Sequence, residues 1–249
     1  MIHDAGWTLV FLAIAFAATM AGRFIVRRFT THFRPLRAYA VLPELAADAV
    51  EGDWRMHFSM GSSALGQPST VSALVSAEII YRLSERLAIS RLTPLITLSD
   101  PITLPLAQDT LRRAYEYRRN MAYYRSSAAA WYPQGPRSLA FAAGVASLSA
   151  DAEADSNVLL GRFGYEMTLI GESALRYDQR LIAHSDLVEG QAIAFAQADE
   201  MLLGEELYVG PAYMNGTALE RGGVFALDVL RWLVILSILV VALQEAIGR

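Results

Sequence analysis

Cysteine and lysine are both missing from this chain of 249 residues. Without Cys it forms no disulfide, no thiolate metal site and no thiol nucleophile. Without Lys it has no Schiff-base amine and no Walker-type phosphate lysine. All 21 basic residues are therefore Arg, a bias that a GC-rich genome produces by itself. Charge is scarce too: 18% of residues are charged, against about a quarter in a soluble domain. The shortage is local, because residues 5–22 carry no charged side chain and neither do residues 232–244. Histidine is sparse, and His3, His32, His57 and His184 show no ligand spacing, so neither a metal nor a cofactor is expected.

What is present at both ends is apolar length. Roughly 20 helical residues cross a hydrocarbon core of about 30 Å. The first candidate span covers residues 5–26, with Trp7 near its start as an interfacial residue type. Arg23, Arg27, Arg28, Arg34 and Arg37 close it, with no acid among them. Residues 1–4 hold an acid and no Arg, unlike the basic start of a signal peptide, so an uncleaved anchor is expected. The second span covers residues 224–247 and takes in Asp228 and Arg231, one turn apart and able to pair. The expected divisions are a transmembrane helix over 1–27, a basic juxtamembrane connector over 28–54, an α/β domain over 55–220 and a second transmembrane helix over 222–249.

Arginine follows the first span and not the second, apart from the terminal Arg249. The positive-inside rule then puts the central domain in the cytoplasm and both termini outside, in a bacterial inner membrane. The end of the first helix would lie beside the start of the second, with Arg23 and Asp228 near each other. Ala13, Ala17 and Ala21, with Ala18 and Gly22 alongside, suit close approach of helices, within the chain or between subunits. Residues 41–220 hold 13 Arg against 22 Asp plus Glu, a net −9. An acidic domain without a basic face argues against nucleic acid as a partner. The expected partners are the lipid bilayer and further copies of the chain or other membrane-protein subunits.

Between the spans, strand and helix signals alternate. Residues 38–52 have helical character. Arg55–Met60 reads as a strand, and Ser69 as the cap of a helix running to about Ile89. Thr93–Leu98 reads as a buried strand, and Ser99-Asp100-Pro101 as a helix start. Ser138–Ser147 reads as strand, Asp151–Ser156 as an acidic hairpin loop, Asn157–Phe163 as strand and Tyr165–Tyr177 as helix. Leu181–His184 reads as a short strand, and Leu187–Tyr208 as the last helix. This spacing predicts a Rossmann-like, three-layer α/β domain with a mostly parallel sheet, mixed at the expected hairpin.

Open parallel sheets bind ligands beyond the carboxyl ends of their strands. The turn after the first strand therefore heads the candidates: Gly61, Ser62, Ser63, Gly66, Ser69 and Thr70 bring two glycines, four hydroxyls and a helix start able to hold an anion. Such turns also occur in α/β domains with no ligand there. Ser99 and Asp100 share that sheet edge, as do Gly161, Gly164 and Glu166, and Asp100 also suits a plain helix cap. Arg23, Asp228 and Arg231 are the candidate intramembrane or interface ion pair. Asp199, Glu200, Glu205 and Glu206 read as a solvated acidic face, since the Glu-x-x-His partner of di-metal helices is missing. No G-x-S-x-G elbow is present. Tyr115, Tyr117, Tyr123, Tyr124, Trp131 and Tyr132 stand among Arg112, Arg113, Arg118, Arg119 and Arg125, the most basic part of the domain.

Four stretches, SMGSSALGQPST, TLSDP with PLAQDTLRRAY, NVLLGRFGYE and QADEMLLGEELYVGPAY, together resemble an uncharacterised family of bacterial two-span membrane proteins, a domain of unknown function. The resemblance covers roughly residues 55–214. It implies the anchored architecture and supplies no activity. The expected function is thus a membrane-anchored α/β scaffold or accessory protein without catalysis. A sensing module for an anionic small molecule at the Gly61–Thr70 turn, or a membrane-bound hydrolase or transferase, are the alternatives.

Overall fold

The computed structural model describes residues 2–28, 34–134, 139–151 and 154–247. They divide into two units, one of Met1–Arg34 with Pro211–Arg249 and one of Pro35–Gly210.

The second unit opens with α2 (Arg37–Gly52), whose Leu42, Leu45, Ala46 and Ala49 form a buried stripe at helical spacing. Residues 35–54 of the expected connector thus belong to this unit, and residues 28–34 to the first. Then follow β1 (Arg55–Gly61), α3 (Thr70–Leu87), β2 (Leu95–Leu98), a 3-10 turn (Pro101–Thr103) and α4 (Leu104–Tyr117). After these come β3 (Ala129–Trp131), α5 (Leu139–Asp151), β4 (Ala154–Arg162), α6 (Met167–Arg176), β5 (Arg180–His184), α7 (Val188–Gln197) and β6 (Glu200–Leu202). A 3-10 turn (Gly204–Leu207) and the four-residue α8 (Gly210–Tyr213) follow.

The six strands form one sheet in the order β3-β2-β1-β4-β5-β6. All five pairings are parallel. This is the doubly wound order 3-2-1-4-5-6, which reverses between β1 and β4. The expected hairpin and mixed sheet are therefore corrected: α5 carries the chain from β3 to a parallel β4 (residues 152–153 of the expected loop lie outside the described ones). Alternation along the strands feeds two helix layers. Met56, Phe58 and Met60 point one way along β1, and His57 and Ser59 the other. Leu159 and Phe163 meet Phe141, Val145, Met167, Ile170 and Ala194 from α5, α6 and α7 in one core cluster. Each large apolar side chain buried here contributes about 1.5–3 kcal/mol.

Two further expectations are corrected. Residues 139–147 are helix, not strand, and bury Phe141, Ala142, Val145 and Ser149. The expected last helix is broken after Gln197, and Glu200–Leu202 is the edge strand β6. Asp199 causes the break. Its main-chain N–H donates to Leu181 O (2.9 Å) while its carboxylate accepts from Leu181 N (2.8 Å), and both bonds seat the chain against β5.

In the first unit α1 (Ile2–Arg28) and α9 (Ala218–Ile247) pack on each other. They meet at two glycines: a Cβ on Gly22 would strike Gly222 O, and one on Gly222 would come 2.6 Å from Arg23 N. Ala18 and Gly22 on α1 meet this approach, as do Gly222 and Ala226 on α9, both buried. Ala13, Ala17 and Ala21 are exposed on the outer side of α1. Asp228 pairs with Arg231 at 3.5 Å, and no ion pair joins it to Arg23. Among the described residues one helical stretch, Ala218–Leu239, is long and apolar enough to cross a membrane; the apolar stretch in α1 is the shorter Leu12–Phe24. His32 and the side chains of His3, Trp7 and Arg27 lie outside the described residues.

Candidate functional site

The carboxyl edge of the sheet, at the reversal between β1 and β4, is where this topology brings ligand-binding loops together. Gly61 ends β1 with φ +57°, and Gly161 near the end of β4 has φ +145°. A Cβ on Gly61 would meet Arg162 O and the Phe163 ring, and one on Gly161 would meet Met60 O and Ser63 Oγ. Glycine is required at both positions because the two central strands approach main chain to main chain.

The turn hydroxyls tie this edge together. Ser62 donates to Arg162 O through both N (2.8 Å) and Oγ (3.0 Å). Ser63 Oγ lies 3.3 Å from Ser72 Oγ, and Thr103 Oγ1 donates to Ser63 O (2.9 Å). Ser69 stands at the N-cap of α3 as expected, but its side chain makes no capping bond; its Oγ accepts from Ala64 N (3.0 Å) and closes the turn. Thr70 Oγ1 donates to Gln67 O (2.6 Å) and accepts from Gln67 N (3.1 Å). Gly66, with φ +78°, stands at the exposed tip. Ser99 does join the turn, donating from N (2.8 Å) and Oγ (3.2 Å) to Gly61 O. Asp100 accepts from Ile102 N (2.9 Å) and caps the 3-10 turn. Glu166 accepts from Gly164 N (2.8 Å).

The other half of the sheet repeats this device. β5, like β2, is followed by Ser-Asp. Ser185 Oγ donates to Phe163 O (2.6 Å) and accepts from Phe163 N (3.2 Å) and Leu187 N (3.0 Å). Asp186 N donates to Gly161 O (2.9 Å), as Ser99 N does to Gly61 O. The Asp186 carboxylate gathers groups that residue-by-residue reading did not connect. Tyr208 Oη donates to it at 3.1 Å, and His184 Nε2 stands 3.4 Å away. Burial pushes Asp186 up, but contacts with His184, Ser72 and Tyr208 outweigh it and hold the carboxyl below its usual range. Tyr208 is pushed up to about 12 by burial and by the Asp186 charge. Both His184 nitrogens are engaged, since Nδ1 faces Leu202 O at 2.9 Å. A carbonyl only accepts, so Nδ1 donates to Leu202 O, and Nε2 faces the Asp186 carboxylate. The repeated Ser-Asp after an apolar strand was the signal that could have linked residues 99–100 with 185–186.

A second polar cluster lies inside the sheet layer. His57 Nδ1 donates to Asn157 Oδ1 (2.7 Å), and Nε2 lies 2.8 Å from Thr97 Oγ1. Asn157 Nδ2 donates to Gln179 Oε1 (2.7 Å), Ser149 Oγ joins them (2.9 Å to Asn157 Oδ1), and Gln179 Nε2 donates to Ala154 O (2.7 Å). Burial lowers His57 to about 4, against the pull of the Asn157 bond, so the ring is neutral. It has no path to solvent and works as an internal cross-strand tie. Among the described residues no group of three His, Asp or Glu could hold a metal ion.

Fold and geometry thus define a parallel α/β unit joined to an antiparallel helix pair. Residues 5–249 match the model of a domain of unknown function (DUF6754), and the chain belongs to that family. No curated protein and no solved structure matches it.

Proposed function

We propose that this protein is a membrane-anchored α/β module in which α1 and α9 cross a bilayer as a helical hairpin. The α/β unit then sits on the arginine-rich, cytoplasmic side of a bacterial inner membrane, where it serves as a non-catalytic scaffold or accessory subunit. The observation that carries this reading is the apolar sleeve of the helix pair. Leu12, Phe16 and Phe24 on α1, and Trp232, Leu236, Ile238, Leu239 and Leu243 on α9, are all more than half exposed. Apolar surface of that length needs a cover. At 1.5 Å per residue α1 and α9 measure about 40 and 45 Å, enough for a core of about 30 Å. Thr19 Oγ1 donates to Ala15 O (2.8 Å) and Ser237 Oγ to Val234 O (2.8 Å), so both hydroxyls are satisfied within their helices, as hydrocarbon requires. The exposed Ala13, Ala17 and Ala21 supply a flat face for a further helix of another copy or subunit.

The absence of native Cys makes the test direct. Single-cysteine chains with Asp4→Cys or Val188→Cys are expressed, and intact cells receive a membrane-impermeant maleimide. Asp4→Cys labels in intact cells; Val188→Cys labels only after permeabilisation, and both chains stay with the membrane through an alkaline carbonate wash. Release by that wash, or labelling of Val188→Cys in intact cells, overturns the reading. An anion in the Gly61–Thr70 turn draws no support from its geometry, since the hydroxyls there already serve the turn.

A further inference from the structure

A pocket of about 370 Å³ opens at the amino edge of the sheet, opposite the edge where α/β domains hold ligands. Arg55, the first residue of β1, lines it. So do Arg91 and Thr93 from the loop before β2, and Arg125 and Ser127 from the loop before β3. No acidic side chain lines it. Several other arginines of the unit have acidic partners: Arg82 with Glu78, Arg112 with Asp109 and Glu116, Arg118 with Glu85, Arg176 with Glu172. Arg55, Arg91 and Arg125 have no ion pair and no side-chain hydrogen bond among the described residues, and Arg55 Nε is buried without any partner. In a unit with seven more acids than bases, three guanidiniums without an ion pair gather around one hollow. The acids of this edge lie in a different cavity, of about 690 Å³, lined by Glu44, Asp48, Glu51 and Asp155 with Arg180. Asp53, two residues before Arg55, accepts from Ser90 (3.4 Å).

We infer that the Arg55–Arg91–Arg125 pocket binds a multivalent oxyanion, the phosphate or carboxylate end of a small molecule or of a lipid headgroup. Guanidinium forks match the planar and tetrahedral oxygens of these groups and bind them in pairs of charge-assisted bonds. The volume is that of a small-molecule site. An anion there supplies the acceptor that Arg55 Nε lacks and neutralises three like charges at once. A soluble anion needs only the α/β unit, whereas a lipid headgroup as occupant rests on the membrane reading.

The test titrates pyrophosphate and citrate into the full chain in neutral phosphatidylcholine nanodiscs by calorimetry. In parallel, thermal midpoints are compared in neutral and phosphatidylglycerol-containing nanodiscs. Saturable binding of either probe that weakens with salt, and falls by about tenfold in Arg91→Gln and again in Arg125→Gln, establishes a soluble anion as occupant. A midpoint raised only by phosphatidylglycerol, with the rise lost in the same variants, assigns the pocket to a lipid headgroup. Both side chains are exposed, so these variants keep the fold, and Arg112→Gln, whose charge is already paired, leaves binding unchanged. Absence of both effects, or effects equal in wild type and variants, overturns the inference.

Discussion

At the carboxyl edge of the sheet, Ser62, Ser69, Thr70, Ser99 and Ser185 all bond to neighbouring loops. At the amino edge, Arg55, Arg91 and Arg125 face a hollow with nothing opposite them. The first edge is rich in the residue types associated with ligand loops and uses them to lock the central strands together. The second offers donors that the chain leaves unmatched. A polar residue at a strand end signals recognition only when its bonding capacity is not already filled from within, and by that measure the amino edge is the open one.

The largest expected effect tests the lock. Gly61→Val forces a β-branched residue into φ +57° against Arg162 O and Phe163, and costs about 3 kcal/mol or more. Urea unfolding of the detergent-solubilised chain, followed by circular dichroism, measures it. A loss under 1 kcal/mol, on the order of an ordinary surface change, would mean the strands are not locked there.

Between the edges, His57 gives a pH signature. Its ring is neutral down to about 4 in the fold and takes a proton near 6.5 when unfolded. From pH 6.5 down to 4 the unfolded chain therefore binds the extra proton, and stability falls with falling pH by as much as about 3 kcal/mol. Replacing His57 with Gln removes that slope, whatever it does to stability at pH 7. An unchanged slope would show that the ring titrates freely in the native chain.

The two Ser-Asp steps sharpen the comparison at smaller scale. Ser185 makes three bonds and Ser99 Oγ one long bond, so Ser185→Ala costs about 2 kcal/mol and Ser99→Ala about 0.5 kcal/mol. Equal losses would remove the distinction between the two halves. Smallest of all, Arg125→Gln changes unfolding stability by no more than about 0.5 kcal/mol, because that side chain holds nothing in the fold. A large loss would reveal a structural partner and close the amino edge as well.

Much of this architecture was legible because its causes are local. The uncharged runs at both ends, the glycine-rich turn after β1 and the Asp100-Pro101 helix start all follow from single residue types. Elements set by distant contacts were not legible. β3 and β6 are three residues each, too short for a period, and exist by pairing with β2 and β5. In residues 139–147 Ala and Leu run almost without polar relief, so a buried helix and a buried strand look alike there. Their weak β-branching, with Val145 alone, favoured the helix that forms. The turn residues were placed correctly, but whether their hydroxyls face a ligand or one another depends on Arg162, a hundred positions downstream. The three pocket arginines come from the start of β1 and from two separate loops, and no spacing along the chain connects them.

The Gly22–Gly222 contact carries a consequence in time. The two glycines are about two hundred residues apart, and at about 5–20 residues per second α9 leaves the ribosome some tens of seconds after α1. For that interval the first helix is without its mate, while the whole α/β sequence is synthesised. The hairpin is consequently the last long-range contact open to the nascent chain, and truncation anywhere before residue 218 would strand α1 with its glycine face bare.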